Sequence, residues 1–354
     1  MINLKTLSKL ELVQHVINWK QPTYRASQIW AWMYQKNVTD VDLMTNLPTQ
    51  FRQKLKSEVW ISQANLKTQS ESKSDQSTKF LLEVANSESV EAVLMPDGNR
   101  NTICLSSQVG CAMNCAFCAT GQMGFFRNLP VDGIIDQFLA IKKQFLTTQI
   151  TNVVFMGMGE PLANYQQVVS AVRILTDPDG IGMSPKRITI STVGLVPRIY
   201  QLAREGLGCK LALSLNGTND KIRAKLMPIN HSYPIDQLLS ALRSWVEITQ
   251  TPATIEYVLI KEINDSLTEA EDLCRLLKGI RCKINLIPFN PISGSDLRRP
   301  EVSQIEDFRD ILTQHHRVAP IRYSKGRDIA AACGQLRTIY EKTGKRLSPN
   351  PQKD

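Results

Sequence analysis

The order of apolar and polar positions divides the chain into stretches of different texture. In the first 60 residues Leu4, Leu7, Leu10, Leu12 and Val13 recur at helical spacing, and Ile29, Trp30, Trp32 and Met33 form a second apolar group, with Pro22 and Pro48 as punctuation. This predicts a small, mostly helical unit over 1–60. From 61 to 99 the texture becomes β-like. Thr78–Val84 and Val90–Met95 read as strands bounded by Asn86-Ser87 and Pro96-Asp97-Gly98, and the polar stretch Ser70–Ser77 reads as a loop or hairpin turn.

From 100 to 336 short apolar runs alternate with longer helical ones. Thr102–Leu105, Asn152–Met156, Arg187–Ile190, Lys210–Leu215, Ala253–Ile260, Lys283–Ile287 and Ala319–Arg322 read as strands. Val131–Lys143, Tyr165–Thr176, Val196–Ala203, Ile235–Val246, Glu269–Leu277 and Gln304–Thr313 read as helices. Strands spaced by helical patterns imply parallel βαβ units, hence an α/β protein. Six units fit a partial (β/α)6 barrel preceded by a short β connection, with an open doubly wound sheet as the alternative. Both place chemistry at the carboxyl ends of the strands. Residues 337–354 hold Arg337, Lys342, Lys345, Arg346 and Lys353 against Glu341 and Asp354, with Pro349 and Pro351, and predict a basic, loosely held tail.

Composition narrows this little. A 354-residue chain with 42% hydrophobic and 21% charged residues is an ordinary globular one. No run nears the ~18 apolar residues of a membrane span, and Met1–Lys9 holds no apolar leader, so a cytoplasmic location is expected. There, thiols serve metals or redox chemistry more often than structural bridges. The net charge of +9 points weakly to a polyanionic partner.

Four of the eight cysteines do change the picture. Cys104 is followed by Cys111, Cys115 and Cys118, the last three spaced Cys-x3-Cys-x2-Cys just after the first strand of the alternating region. Three thiolates on one tight loop can each bind one iron of a cubane and leave the fourth iron open. Zinc is the rival, but its structural sites close four ligands, and no histidine lies nearby. One βα unit later, Val153–Met156 runs into Gly157-Met158-Gly159-Glu160-Pro161. Glycines there admit close backbone approach, and the carboxylate can accept from an ammonium group.

The cysteine spacing resembles that of radical S-adenosylmethionine enzymes, and the finer pattern resembles the RlmN/Cfr RNA methyltransferases. The segments that carry the likeness are Ser106–Cys111, the cysteine loop through Gly121, Gly157–Leu162, Ile190–Thr192 and Lys225–Asn230. Asn285–Pro291, Asp328–Leu336 and the N-terminal Pro22–Trp30 complete it. The resemblance implies a partial radical S-adenosylmethionine barrel over 100–336 and an RNA-binding accessory unit over 1–60. It implies a [4Fe-4S] cluster on Cys111, Cys115 and Cys118, and two S-adenosylmethionines per turnover. Gly159, Glu160, Ser191, Ser214, Leu215, Asn216 and Asn290 become cofactor contacts. Asn216 stands where relatives usually have histidine, which puts any acid–base role there in doubt.

The resemblance also makes Cys333 the carrier of a methyl group, bound for adenosine through a protein–RNA adduct. It makes Glu91 the base that deprotonates the adduct, and Cys104 the thiol that resolves it through a transient disulfide. The implied activity is methylation of adenosine carbon 2 in 23S ribosomal RNA and in transfer RNA. Cfr-type methylation at carbon 8 is the alternative, and a non-catalytic iron–sulfur RNA-binding protein the less favoured one. Also implied are an external electron donor such as flavodoxin, a monomeric state and no membrane partner. Arg25, Arg52, Lys54, Lys56, Arg298, Arg299 and the tail are candidates for phosphate contact. Cys209, Cys274 and Cys282 read as small core residues, and His15, His231, His315 and His316 show no ligand spacing.

Overall fold

The computed structural model describes residues 1–84, 88–145 and 148–337, so Asn86-Ser87 and all of the expected tail except Arg337 lie outside the described residues. At the N-terminus, β1 (Ile2–Asn3) precedes three helices, α1 (Lys9–Asn18), α2 (Tyr24–Tyr34) and α3 (Thr49–Glu58), and pairs in parallel with β2 (Val59–Trp60). A capping box starts α1: the Ser8 side chain accepts from Glu11 N while the Glu11 carboxylate accepts from Ser8 N. The helix turns Leu12 and Val16 inward, whereas Leu10 is 83% exposed and stands outside the apolar stripe.

The rest is built on one nine-stranded mixed sheet. An antiparallel meander, β3 (Asn65–Glu71), β4 (Thr78–Val84) and β5 (Glu88–Asp97), leads into β6 (Arg100–Cys104). The short strands β7 (Gln108–Gly110) and β8 (Phe125–Asn128) form a separate antiparallel pair enclosing α4 (Ala119–Gln122). Then α5 (Val131–Gln144), β9 (Asn152–Phe155), α6 (Tyr165–Thr176), β10 (Ile188–Thr192), α7 (Val196–Arg204) and β11 (Lys210–Ser214) alternate. They are followed by α8 (Asp220–Leu226), α9 (Ile235–Thr249), β12 (Ala253–Leu259), α10 (Leu267–Leu276), β13 (Cys282–Pro288) and α11 (Val302–Gln314).

The sheet order is β13-β12-β11-β10-β9-β6-β5-β4-β3, with β6 and β9 to β13 all parallel. Parallel strands laid down in sequence, with no reversal, rule out the doubly wound alternative, whose order turns back at a switch point. Six parallel strands that end at β13 without pairing back to β6 make the partial barrel. The expected strand at Ala319–Arg322 is reduced to a single bridge between Ile321 and Leu286. The segment after 61 continues the core sheet through β3, β4 and β5 instead of merely linking two units. Its β3 was not anticipated, because its side chains alternate between exposed and half-buried and carry no apolar period.

The helical unit is fastened to the barrel by buried polar contacts. Lys5 Nζ meets Asp136 Oδ1 of α5 at 2.5 Å and donates to Ser62 O at 2.7 Å, and Asn3 Nδ2 donates to Asp132 Oδ2 at 2.8 Å. Both carboxylates sit in the apolar interior of α5, where an unpaired charge would be strongly disfavoured.

Candidate functional site

Strand register decides which side chains face the concave side of the barrel. Cys104 is paired with Val154 and Val154 with Thr189, while Ser191 is paired with Ala212 and Ser214 with Glu256, so these side chains share one face. Glu91 joins them from the meander: Val93 is opposite Cys104, and Glu91 lies two residues further along the same face. The carboxyl ends of the strands, where a barrel presents its loops, therefore gather Glu91, Cys104, Ser191 and Ser214.

The loop carrying Cys111, Cys115 and Cys118 is clasped by the β7–β8 pair. Cys111 N donates to Gly124 O at 2.8 Å and Ala116 N to Leu226 O at 2.9 Å, while Cys118 leads into α4. Burial raises all three thiols, Cys111 to about 12, and the Cys115 thiol is raised further by the charges of Cys118, Cys111 and Glu160. Among the described residues no three His, Cys, Asp or Glu side chains converge tightly enough to hold one metal ion. The three thiols lie within one another's electrostatic reach on one loop, and a set of three thiolates with no fourth ligand suits an iron–sulfur cluster with one open iron better than a tetrahedral zinc.

Beside them stands the glycine-rich turn after β9. Gly159 has φ +99°, and a Cβ there would lie 2.5 Å from Gln108 Cβ, so only glycine lets this turn lock onto β7. Ser107 N and Gln108 N both donate to Met158 O, and Glu160 N donates to Gln108 Oε1 at 2.8 Å. The Glu160 carboxylate accepts from Leu162 N at 3.0 Å and Val193 N at 2.9 Å. It is 2% exposed, and burial pushes its pKa up to about 7 despite those bonds. A cation such as an ammonium group brought to it would draw that value down again, which suits the role expected of this carboxylate.

The C-terminal segment returns over the cysteine loop and brings Cys333. Gly334 has φ +83°, and a Cβ on it would come within 2.8 Å of Phe117 O; its carbonyl accepts from Ala119 N at 2.7 Å. Asn290, at the end of β13, anchors the turn. Its Nδ2 donates to Cys333 O at 3.1 Å and to Ser324 Oγ at 2.9 Å, and its Oδ1 accepts from Arg299 Nη2 at 3.0 Å. The Ser324 hydroxyl hydrogen-bonds the Cys333 sulfur. The Cys333 residue has surface open to solvent, yet its sulfur lies among enough protein atoms that burial raises its pKa. Burial raises the Cys104 thiol well above the usual range, and the charge of Cys333, distant in sequence, adds to that rise.

Glu91 closes the arrangement. Its Oε1 meets Lys79 Nζ at 3.1 Å and its Oε2 accepts from Arg337 N at 2.8 Å, just beyond the Cys333 turn. Burial raises its pKa, and the Lys79 charge and the Arg337 bond oppose that shift.

Two expected contacts are occupied by the protein itself. Asn216 is fully buried with φ +57°, a conformation asparagine tolerates. Its Oδ1 accepts from Val258 N at 2.8 Å and its Nδ2 lies 3.2 Å from Met227 Sδ. Asn290 is engaged as described. Among the basic candidates, Arg25 donates to Gln28 and Asn46 O, Arg52 to Asp42 O, Lys56 pairs with Asp42, and Arg299 turns inward to Phe289 O and Asn290.

The structure adds side chains that sequence reasoning missed. Arg223 is fully buried and donates to the carbonyls of Leu215, at 3.1 Å, and Val193, at 2.6 Å, so it ties the ends of β11 and β10 together. Lys79 and Ser324 complete the set. Each looks like an ordinary charged or polar residue in the sequence, and only the fold reveals its partner.

Two family models match the chain: the Radical SAM superfamily over residues 105–277 and the ribosomal RNA large subunit methyltransferase N-terminal domain over residues 2–61. A dual-specificity RNA methyltransferase RlmN of Geotalea uraniireducens is 43% identical over 345 residues, covering 97% of this chain and 99% of that protein. A probable dual-specificity RNA methyltransferase RlmN of Synechocystis is 42% identical, covering 98% and 97%. The crystal structure of a radical SAM methyltransferase from Sphaerobacter thermophilus superposes with a TM-score of 0.90 at 42% identity, covering 95% of this chain and 99% of that one.

Proposed function

The chain belongs to the RlmN family of radical S-adenosylmethionine RNA methyltransferases, and on that premise we propose that it methylates carbon 2 of one adenosine in 23S ribosomal RNA, and of an adenosine in transfer RNA, by a ping-pong route. The family carries a [4Fe-4S] cluster and uses S-adenosylmethionine. When bound, these supply an electron, an electrophilic methyl group and a 5′-deoxyadenosyl radical. Cys111, Cys115 and Cys118 would hold three irons. Gly159 and Glu160 would hold the methionine end of the cofactor, with Ser191, Ser214, Leu215, Asn216 and Asn290 around the remainder. At Asn216 the side chain is committed to Val258 and Met227 and the carbonyl accepts from Asn264 Nδ2, so a contact there would fall to its main-chain N–H.

The protein's own groups then act in order. Cys333 takes up a methyl group on sulfur. One hydrogen atom of that methyl would go to the radical the bound cofactor supplies, and the methyl carbon would then bond the adenine ring. The adduct would return one electron to the bound cluster as the ring proton leaves. Glu91 removes the proton from the substituted ring carbon. Cys104 attacks the Cys333 sulfur, so that a disulfide forms as the bond from sulfur to the transferred carbon breaks; that carbon keeps the electron pair and gains a proton to become the methyl. The observation that supports this assignment is that Cys104 and the buried Glu91 share one face of paired strands, and that the segment just after Cys333 is tied to Glu91 through Arg337 N. An external electron donor of the flavodoxin kind, a monomeric state and a cytoplasmic location complete the proposal. Among the described residues no helix is long and apolar enough to cross a membrane.

The product decides it. RNA methylated by the anaerobically reconstituted protein, digested to nucleosides and analysed by mass spectrometry against standards, should yield 2-methyladenosine. An 8-methyladenosine product would overturn the carbon-2 assignment in favour of the Cfr-type activity.

A further inference from the structure

Two polar side chains on the concave face have no part in the chemistry above: Glu256 of β12 and Asn285 of β13. They are direct partners in the parallel register, one strand beyond Ser214, so both stand on the face that carries Cys104 and the Ser191–Ser214 edge. Asn285 Nδ2 donates to Glu256 Oε1 at 2.9 Å, which settles the orientation of the amide. Asn285 Oδ1 is thereby left buried with no hydrogen-bond partner among the described residues. The Glu256 carboxylate is itself only 8% exposed, with Oε1 occupied by Asn285.

An inward acceptor that the protein does not satisfy, here Asn285 Oδ1 beside the Glu256 carboxylate, is costly unless a ligand brings a donor to it. The pair also shares its chamber with the methyl-carrying cysteine. The Cys333 thiol lies within the field of the Glu256 charge, and Asn290 ties the Cys333 carbonyl to the end of β13, the strand that bears Asn285. The acceptors therefore stand in the same region as Cys333, where a base to be methylated has to come. A ligand for this pair must offer N–H groups. Adenine meets this need, because its amino group on carbon 6 carries two N–H donors and sits on the same six-membered ring as carbon 2. Guanine would present a carbonyl oxygen there, acceptor against acceptor.

We propose that Glu256 and Asn285 form an acceptor pair that reads the exocyclic amino group of the flipped target adenine and selects it against purines lacking that group. The proposal rests on the assignment of the chain as an adenosine methyltransferase and adds the groups that recognise the base. Such readout follows the rule that a site built to bond a donor rejects the analogue without it, because its buried polar groups are then left unpaired.

The test compares kcat/KM for two RNA substrates, identical except that the target adenosine is replaced by purine riboside, which lacks the amino group. The full-length, cluster-loaded protein is used as wild type, as Glu256→Gln and as Asn285→Ala. Wild type should prefer adenosine by about 10- to 100-fold, the discrimination typical of a good base contact. In each variant the preference should shrink by at least about fivefold. Because each preference is a ratio within one protein, a smaller folded fraction cancels from it. A wild type that methylates both RNAs equally well overturns the proposal, and that arm needs no variant. So do variants that are slower on both RNAs with the preference intact. If wild type methylates neither RNA, the methyltransferase assignment itself falls, and this outcome is distinct from the other two.

Discussion

Glu91 is a glutamate whose surroundings set its strength as a base. Burial favours its protonated form, and the charge of Lys79 at 3.1 Å pulls the other way. The base form exists above the folded-state pKa, so proton removal should fade as pH falls through a value higher than that of an exposed glutamate. Lys79→Met removes the opposing charge and raises that value further. The acid limb of the pH–rate profile should therefore move to higher pH, measured on single-turnover release of methylated RNA. A limb that stays in place would show that another group titrates. Glu256 and Asn285 make a related point at this scale. They read as polar interruptions of apolar runs, because nothing in a linear pattern says that a strand's second face lines a chamber and not solvent.

Among the elements, the turn that carries Cys333 depends on a neighbour far away in sequence. The polar turn between β3 and β4 holds the approach to it. Asp328 accepts from Ser72 Oγ at 2.7 Å and Lys73 N at 3.1 Å, and Asp75 accepts from Gly326 N at 2.8 Å. Gly334 then packs directly on the cysteine loop. Gly334→Ala would place a Cβ against Phe117 O in a left-handed conformation, so the turn must lift. The Ala119 amide, which donates to Gly334 O, should then exchange its hydrogen on the order of tenfold faster, while amides of α9 keep their protection. Unchanged exchange at Ala119 would mean that the turn does not rely on this contact.

The elements also mark where the sequence was legible. The six parallel strands and the helices between them follow from apolar runs and helical periods, and the cysteine spacing announces the loop. Three elements left no such trace. β3 is a half-solvated edge strand without an apolar face. β7 and β8 are three and four residues long, and their pairing across the cysteine loop is set by contacts such as Cys111 N to Gly124 O and not by a local turn.

For the whole molecule, the fold brings together groups from distant parts of the chain. The meander contributes Glu91, the first barrel strand Cys104, the loop after it the three clustered thiols, and the C-terminal segment Cys333. The buried Lys5–Asp136 and Asn3–Asp132 contacts hold the helical unit against α5. The net charge of +9 is not weakened by the contacts of the basic candidates, since Arg25, Arg52 and Arg299 donate to neutral oxygens. Arg25, Arg52, Lys56 and Arg299 all have protein partners.

The central claim is that Cys333 carries the transferred carbon and Cys104 releases it. The most direct measurement follows RNA-linked protein by denaturing electrophoresis and mass spectrometry after anaerobic reaction of wild type, Cys104→Ala and Cys333→Ala. Cys104→Ala should accumulate a covalent protein–RNA species joined through the Cys333 sulfur, and Cys333→Ala should form neither adduct nor methylated RNA. Methylation at the wild-type rate by both variants would contradict the account.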